Sequence, residues 1–526
     1  MASSSIEKSP EDTTIRPTFS KENINSNEIL ATVRSIDGKV VEVTGNVDEA
    51  MKYALDLEDV DIDDEKFKKL LRKIDFHLLP LICLLYALQF MDKTSSSYAA
   101  VMGLRTYYKM EGVMYSWVGS SFYLGYLAFE FPVSALLQRF PVAKTASAFV
   151  IIWGVLLCLH ATPSTYPGLI TLRTLLGIFE SGITPAMVII TGQWYKKEEQ
   201  FLRTSLWFSC NGLGTIMGSA IAYGLATHES SYSMPAWKIL FIVVGVMTIF
   251  VGILILIWIP DLPTKAIWLT EEEKRLTVLR IKTNQQGFGN KHFKFSQFKE
   301  ALLDINTWLF FFFALASNIP NGSLTNFGSI LLTETFGYTA TESLYMNMPT
   351  GAVELVGCIL LAWLHRYCSS RLIISFISMA IALVCACMLA FAKHSPHARL
   401  AGYYLMFVYP LTTICSLSCF SSNVAGHTKK ITVNAIYLIG YCAGNLIGPQ
   451  TFIASQAPEY VGGEIAIVVC YVVSLIFIAW TYFNYWRVNR QRNRLQAEGK
   501  LEIPDFENYE FADLTDKENP NFRYSL

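Results

Sequence analysis

Long apolar runs separated by short polar stretches occupy the chain from about residue 77 to residue 486. Each run holds about 20 residues, the length that crosses a hydrocarbon core of ~30 Å as an α-helix. The runs fall into two sets. Spans 1 to 6 lie near 77–100, 114–137, 145–162, 167–193, 204–227 and 237–259. A charged central segment, 260–303, interrupts the series, and spans 7 to 12 follow near 306–333, 341–364, 370–392, 399–422, 431–454 and 463–486. The pattern predicts an all-α membrane protein with twelve transmembrane helices in two six-helix halves. It divides the chain into an N-terminal tail (1–75), a first bundle (76–259), the central segment, a second bundle (304–487) and a C-terminal tail (488–526). Residues 1–50 are polar and without periodicity, which predicts that they are mostly disordered. Residues 51–75, ending KFKKLLRKIDF, predict a short amphipathic helix on the membrane surface.

Composition agrees with this division. Hydrophobic residues make up 52% of the 526, and charged residues only 16%, against about 25% in soluble proteins. The net charge of −1 implies no nucleic-acid surface. The 11 cysteines are scattered through apolar runs without CxxC spacing, so no disulfide framework is expected. The 8 histidines sit mostly at span ends and in loops, with no metal-ligand spacing. No cleavable signal peptide is visible in MASSSIEKSPEDTTIRP. Nucleophile motifs, phosphate-binding loops and dinucleotide loops do not stand out, so neither an enzyme nor an ATP-driven pump is expected, and no cofactor or obligate protein partner is inferred. Basic residues concentrate on one side of the spans: Arg139, Lys144, Lys196, Lys197, Arg203, Arg366, Arg371, Lys429, Lys430, the central segment and the tail after Arg487. The positive-inside bias then puts both termini and the central segment in the cytoplasm.

Span 4 carries charge inside its apolar run. Arg173 and Glu180 are seven residues apart on one helix face, with Gly177 between them. A charge at the centre of a membrane helix costs about 2.5–3.5 kcal/mol on insertion scales. Seven residues rise about 10 Å, too far for the two to pair with each other. Each must therefore meet another helix, water or a ligand. Span 1 adds a second pair, Asp92 and Lys93, whose side chains diverge by about 100°. Either the four charges lock the bundle as structural ion pairs, or they mark an ion and substrate pathway. In span 5, Gly214 and Gly218 have the GxxxG spacing, and span 11 repeats it with Gly440, Gly444 and Gly448. Small residues so spaced let helices approach closely, and their recurrence in both halves supports a duplicated bundle.

The stretches LQFMDKTSSSYAAVMGLR (Leu88 to Arg105), RTLLGIFESGITP (Arg173 to Pro185) and WIPDLPTKAIWLTEEEK (Trp258 to Lys274) resemble the fungal allantoate permeases, which belong to the anion:cation symporter branch of the major facilitator superfamily. SNIPNGSLTNF (Ser317 to Phe327), PTGAVELVGC (Pro349 to Cys358), IGPQTFIASQAPEY (Ile447 to Tyr460) and the tail DLTDKENPNFRYSL are similar as well. The likeness runs from about residue 38 onward. It departs from the superfamily pattern between spans 2 and 3, where Gln138 replaces an aspartate and Pro141 a glycine.

The resemblance implies the major facilitator fold, a plasma-membrane location and proton-coupled uptake of a small organic anion. Allantoate is the nearest candidate, with ureidosuccinate and short peptides in the same range. A non-transporting nutrient sensor, or a permease for another carboxylate such as a vitamin, remains as the alternative. The partners expected are the anion, protons and the lipid bilayer, with the proton gradient as energy source. By the same resemblance Lys93 and Arg173 serve anion binding, and Asp92 and Glu180 serve proton coupling. The physics agrees: an anion needs a cation, Arg grips a carboxylate with two parallel bonds, and a buried acid can exchange a proton near neutrality. Asn211, Asn318 and Asn321 are candidates to read the rest of the ligand, with interhelical hydrogen bonds as the competing role. Pro320 and Gly322 predict a local break in span 7. Tyr123, Tyr126, Tyr437 and Tyr441 are candidate cavity residues. Glu130 and Glu354 hold corresponding places in spans 2 and 8, followed by Arg139 and Arg366, and read as gating or structural groups.

Overall fold

The structure is a computed structural model, and it describes residues 29–34, 40–44, 64–282, 293–364, 367, 368, 370–498 and 514–526. Among the described residues, twelve helical rods follow in the expected order. Span 1 is Asp64–Ala99, prolonged by a π-helical turn, Ala100–Leu104. Spans 2 and 3 are Met114–Arg139 and Val142–Leu159. Span 4 is Tyr166–Glu180, resumed as Ile183–Trp194. Spans 5 and 6 are Lys197–Thr227 and Ala236–Trp258. Span 7 is Ile305–Ile330 with a π-helical end, Leu331–Thr335. Span 8 is Ala340–Met346 with Met348–Trp363, and span 9 is Arg371–Phe391. Span 10 joins Pro396–Leu405 to Pro410–Asn423 through a short tight turn. Spans 11 and 12 are His427–Ile447 and Val461–Ala497.

By length and apolarity alone, 8 helices among the described residues could cross a membrane, or 9 when the bent pair Phe295–Leu303 and Ile305–Thr335 counts as one. Spans 2, 5 and 8 are the three that fall short. Span 8 is split at Asn347. Spans 2 and 5 carry Ser, Gly and Tyr because they face the opposite half rather than lipid. A Cβ on Gly212 of span 5 would overlap the backbone of Gly351 in span 8, and the reverse is also true. Between spans 2 and 11, Ser120 Oγ donates to the Leu446 carbonyl at 2.8 Å and accepts from Gln450 Nε2 at 3.0 Å. Within each half, the glycine series works as the spacing suggests. Gly214 lies against the Ala87 carbonyl of span 1, and Gly440, Gly444 and Gly448 lie against the carbonyls of Phe311, Leu315 and Ile319 in span 7.

Two expectations need correction. The stretch KFKKLLRKIDF is not a separate surface helix; it is the start of span 1. Its charges hold the helix against its neighbours: Lys73 pairs with Glu273 of the central helix Glu271–Lys282 at 2.8 Å, and Asp75 with Arg203 of span 5 at 2.8 Å. Span 7 is not broken at Pro320, which sits inside a continuous helix. Gly322 serves close packing instead, since a Cβ there would overlap the backbone of Asn445. Within the stretch expected to be mostly disordered, Ile29–Arg34 and Val40–Thr44 form an antiparallel hairpin. Their β-branched residues favour a strand even in a polar context.

The far end of the chain folds back. Residues 514–526 lie under spans 7, 9, 10, 11 and 12. The Leu526 carbonyl accepts from the Arg371 backbone at 2.8 Å, Ser525 bonds Asn423, and Tyr524 stacks on Tyr485 with ring centres 4.5 Å apart. Asp516 joins Glu300 and Asp304 around Lys429, at 2.7, 2.8 and 2.9 Å, and Lys429 is only 1% exposed.

Candidate functional site

Span 4 stops two residues short of continuing through Gly182 because of Pro185. Proline has no N–H to bond the residue four back, and its ring presses on that residue's carbonyl. Glu180 therefore ends the first piece of the span, fully buried. Gly177 lets span 2 approach closely, for a Cβ there would overlap the Phe122 carbonyl. Arg173 and Glu180 consequently face inward, and both find their partners on span 1.

The partners cross. Lys93 Nζ lies 2.9 Å from Glu180 Oε1, and Arg173 Nη1 lies 3.9 Å from Asp92 Oδ1. Gln89, one turn before Lys93, donates to the same Glu180 oxygen at 2.9 Å. Asp92 turns the other way and accepts from the indole N–H of Trp153 in span 3 at 2.7 Å. Asp92 Oδ1 and Glu180 Oε2 are left without a hydrogen-bond partner among the described residues. The divergence of adjacent residues on span 1 thus sends one charge to each end of the span 4 face. In the low dielectric of a helix bundle such pairs persist only when both members are present.

A central cavity, about 650 Å³ including the open solvent at its mouth, lies between the halves. Lys93 and Gln89 form part of its wall on the first half, together with Tyr126 of span 2 and Asn211 of span 5. Asn318, Asn321 and Glu354 line it from the second half, as do Tyr437 and Tyr441. Asp92, Arg173 and Glu180 stand behind Lys93, and Tyr123 is likewise outside the lining. Of the residues expected to read a ligand, Asn321 is engaged with the protein at both ends of its amide. It donates to Asn445 Oδ1 at 2.7 Å and accepts from Tyr409 OH at 2.5 Å. Asn318 donates to the Ala314 carbonyl at 2.7 Å. The amide of Asn211 has no protein hydrogen bond among the described residues.

Glu130 is fully buried and outside the cavity, while Arg139 is exposed at the end of span 2, so the two do not meet. Arg366 lies outside the described residues. Two groups at the centre were not singled out by sequence. Gln89 shares a helix face with Lys93 at a spacing of four, a signal that could have been read. Trp153 offered none, since an apolar helix carries Trp for packing alone.

At the end of the bundle away from the central segment, the halves are closed on each other. Arg105 Nη1 pairs with Glu334 at 2.7 Å, and Tyr460 OH donates to the same carboxylate at 2.6 Å. Tyr115 OH donates to the Asn326 carbonyl at 2.7 Å, and Ser97 Oγ accepts from the Ser329 backbone at 3.1 Å.

The Major Facilitator Superfamily profile matches residues 82–449. The allantoate permease of Saccharomyces cerevisiae is 49% identical over 516 residues, covering 96% of this chain and 95% of that one. An uncharacterised transporter of Schizosaccharomyces pombe is 51% identical over 480 residues, covering 91% and 94%. Among solved structures, a bacterial homologue of the human lysosomal transporter Spinster, inward-facing and occupied, shares the fold with a TM-score of 0.56 at 16% identity, covering 77% of this chain and 96% of that one. The chain is a multi-pass membrane transporter and belongs to the major facilitator superfamily, alongside the allantoate permease of S. cerevisiae.

Proposed function

We propose that the protein takes up a small organic anion, allantoate or a close ureido acid, together with protons across the plasma membrane, with both termini in the cytoplasm. The observation that carries this reading is the position of Lys93: a cation on the cavity wall, held by a buried carboxylate behind it. An anion entering the cavity competes with Glu180 for Lys93. A proton on Glu180 neutralises that competitor and frees the ammonium for the ligand carboxylate. Asp92, Lys93, Arg173 and Glu180 sum to zero charge, so an anion alone would leave the centre negative. A proton arriving with it restores balance, which matters where buried charge is poorly screened. It also removes the work of moving a net negative charge inward, about 2.3 kcal/mol per 100 mV. Arg173, behind Lys93, holds Asp92 in place.

The halves then rock about the cavity, as repeats do in this class of transporter. The salt bridge Arg105–Glu334 and its neighbours close the outer side in the conformation described. The similarity to an allantoate permease over nearly the whole chain supports the substrate class. The test is uptake of labelled allantoate into cells that lack their own carrier. Uptake should rise as the outside is acidified and collapse with a protonophore. Absence of uptake of allantoate, ureidosuccinate and dipeptides alike would reject the reading.

A further inference from the structure

One buried group at the cavity has no role in the exchange between Glu180 and Lys93. Glu354 of span 8 is 1% exposed, yet it lines the central cavity. Neither of its carboxyl oxygens has a hydrogen-bond partner among the described residues. Burying a carboxyl group without partners is unfavourable, more so as a charge than as a neutral acid. Native proteins leave few such groups, and a cavity-facing one is an unfilled ligand contact more readily than a packing element. Its neighbours sharpen the point. Asn321 and Asn318, also on the second half, already bond within the protein. Glu354 is thus a cavity-lining acid of that half whose two carboxyl oxygens have no hydrogen-bond partner among the described residues.

We infer that Glu354 is the specificity-determining contact for a urea or primary-amide group on the ligand, opposite the carboxylate that Lys93 takes. The inference rests on the preceding reading that the cavity binds an organic anion. A carboxyl group meets a urea with two bonds. Ionised, it accepts two parallel N–H groups; protonated, it accepts one N–H and donates its O–H to the urea carbonyl. Either way both unpartnered oxygens are satisfied at once, as in other bidentate pairings. A site polarised in this way, with a cation on one half and a carboxyl on the other, selects a carboxylate that carries a ureido or carbamoyl arm. Because the two contacts belong to opposite halves, a ligand with both ends also bridges the elements that must move together. A plain carboxylate of equal length would leave Glu354 unpartnered and would be discriminated against.

The test uses the purified full-length protein and equilibrium binding of two ligands: allantoate and a plain carboxylic acid of similar size without ureido groups. Glu354→Met removes both bonding atoms and orphans no protein group, so it leaves the fold intact. It should weaken allantoate binding roughly ten- to a hundredfold and leave the plain acid within twofold. Glu354→Gln, whose amide can still make two bonds to a urea, should lie within a few-fold of wild type for both. A ligand arm needs no variant: methylating the terminal ureido nitrogens of allantoate should weaken binding to the wild type by tenfold or more, and to Glu354→Met hardly at all. Equal binding of allantoate by wild type and Glu354→Met, an equal loss for both ligands, or indifference of the wild type to methylation would overturn the inference. If the wild type binds neither ligand, it is the underlying anion reading that fails.

Discussion

Replacing Glu180 with Gln probes the coupling step at its centre. In the structure Glu180 Oε1 receives Lys93 at 2.9 Å and Gln89 at 2.9 Å. The ammonium bond is the one an incoming carboxylate must displace. A hydrogen bond to a charged group contributes about 1.5–3 kcal/mol net, and each 1.4 kcal/mol is a factor of ten. Glutamine keeps the shape and can still accept from Gln89, but it has no charge to hold Lys93, as in the protonated acid. Lys93 remains solvated because 11% of its side chain reaches the cavity. In wild type, allantoate binding should weaken as pH rises, because the proposed binding step takes up a proton. In Glu180→Gln it should be nearly independent of pH. The two should coincide at low pH and separate by roughly ten- to a hundredfold at high pH, the variant binding more tightly. Equilibrium binding of labelled allantoate to purified protein across a pH series measures this. Counterflow exchange should survive in the variant while proton-driven accumulation fails. A variant that binds more weakly at every pH, or that keeps the wild-type pH dependence, would refute the competition between ligand and Glu180.

Three other outcomes follow from the geometry. Arg105→Ala removes the cross-half pair with Glu334, so a Cys placed at Ser97 in a background without native cysteines should react severalfold faster with an impermeant maleimide added outside. Lys429→Met leaves Glu300, Asp304 and Asp516 facing one another without the cation they share, Asp304 keeping only its 3.4 Å contact with Lys517, and unfolding in detergent should show a loss of about 3–5 kcal/mol. Cysteines introduced at Lys196 and Lys393 should label from opposite sides, Lys393 from outside intact cells and Lys196 only after permeabilisation.

Length and hydropathy carry nine of the twelve rods among the described residues, because a membrane helix hides all its backbone polar groups internally, while spans 2, 5 and 8 fall short of that measure. The cost of charge in lipid likewise pointed to Asp92, Lys93, Arg173 and Glu180 as a group. What those arguments could not supply was partner choice. Seven residues of rise separate Arg173 from Glu180, but only the meeting of spans 1 and 4 decides that Glu180 takes Lys93 and Arg173 takes Asp92. Pro320 misled for a related reason: a proline is a break signal in water, and here a continuous helix tolerates it between packed neighbours. Glu354 read as a gating or structural group beside Glu130, since both are buried acids in corresponding spans. The difference between them, that only Glu354 faces the cavity, is set by helix rotation within each half. The start of span 1 was obscured by its charges, which look like a surface helix until Glu273 and Arg203 are seen to neutralise them.

The central claim is that a proton travels with the anion because it releases Lys93 from Glu180. Proteoliposomes loaded with a pH-sensitive dye and holding no initial pH gradient test this most directly. Adding allantoate outside should acidify the interior, in wild type but not in Glu180→Gln, at a rate that follows allantoate accumulation. Allantoate entry into wild-type vesicles with no change in internal pH would contradict it.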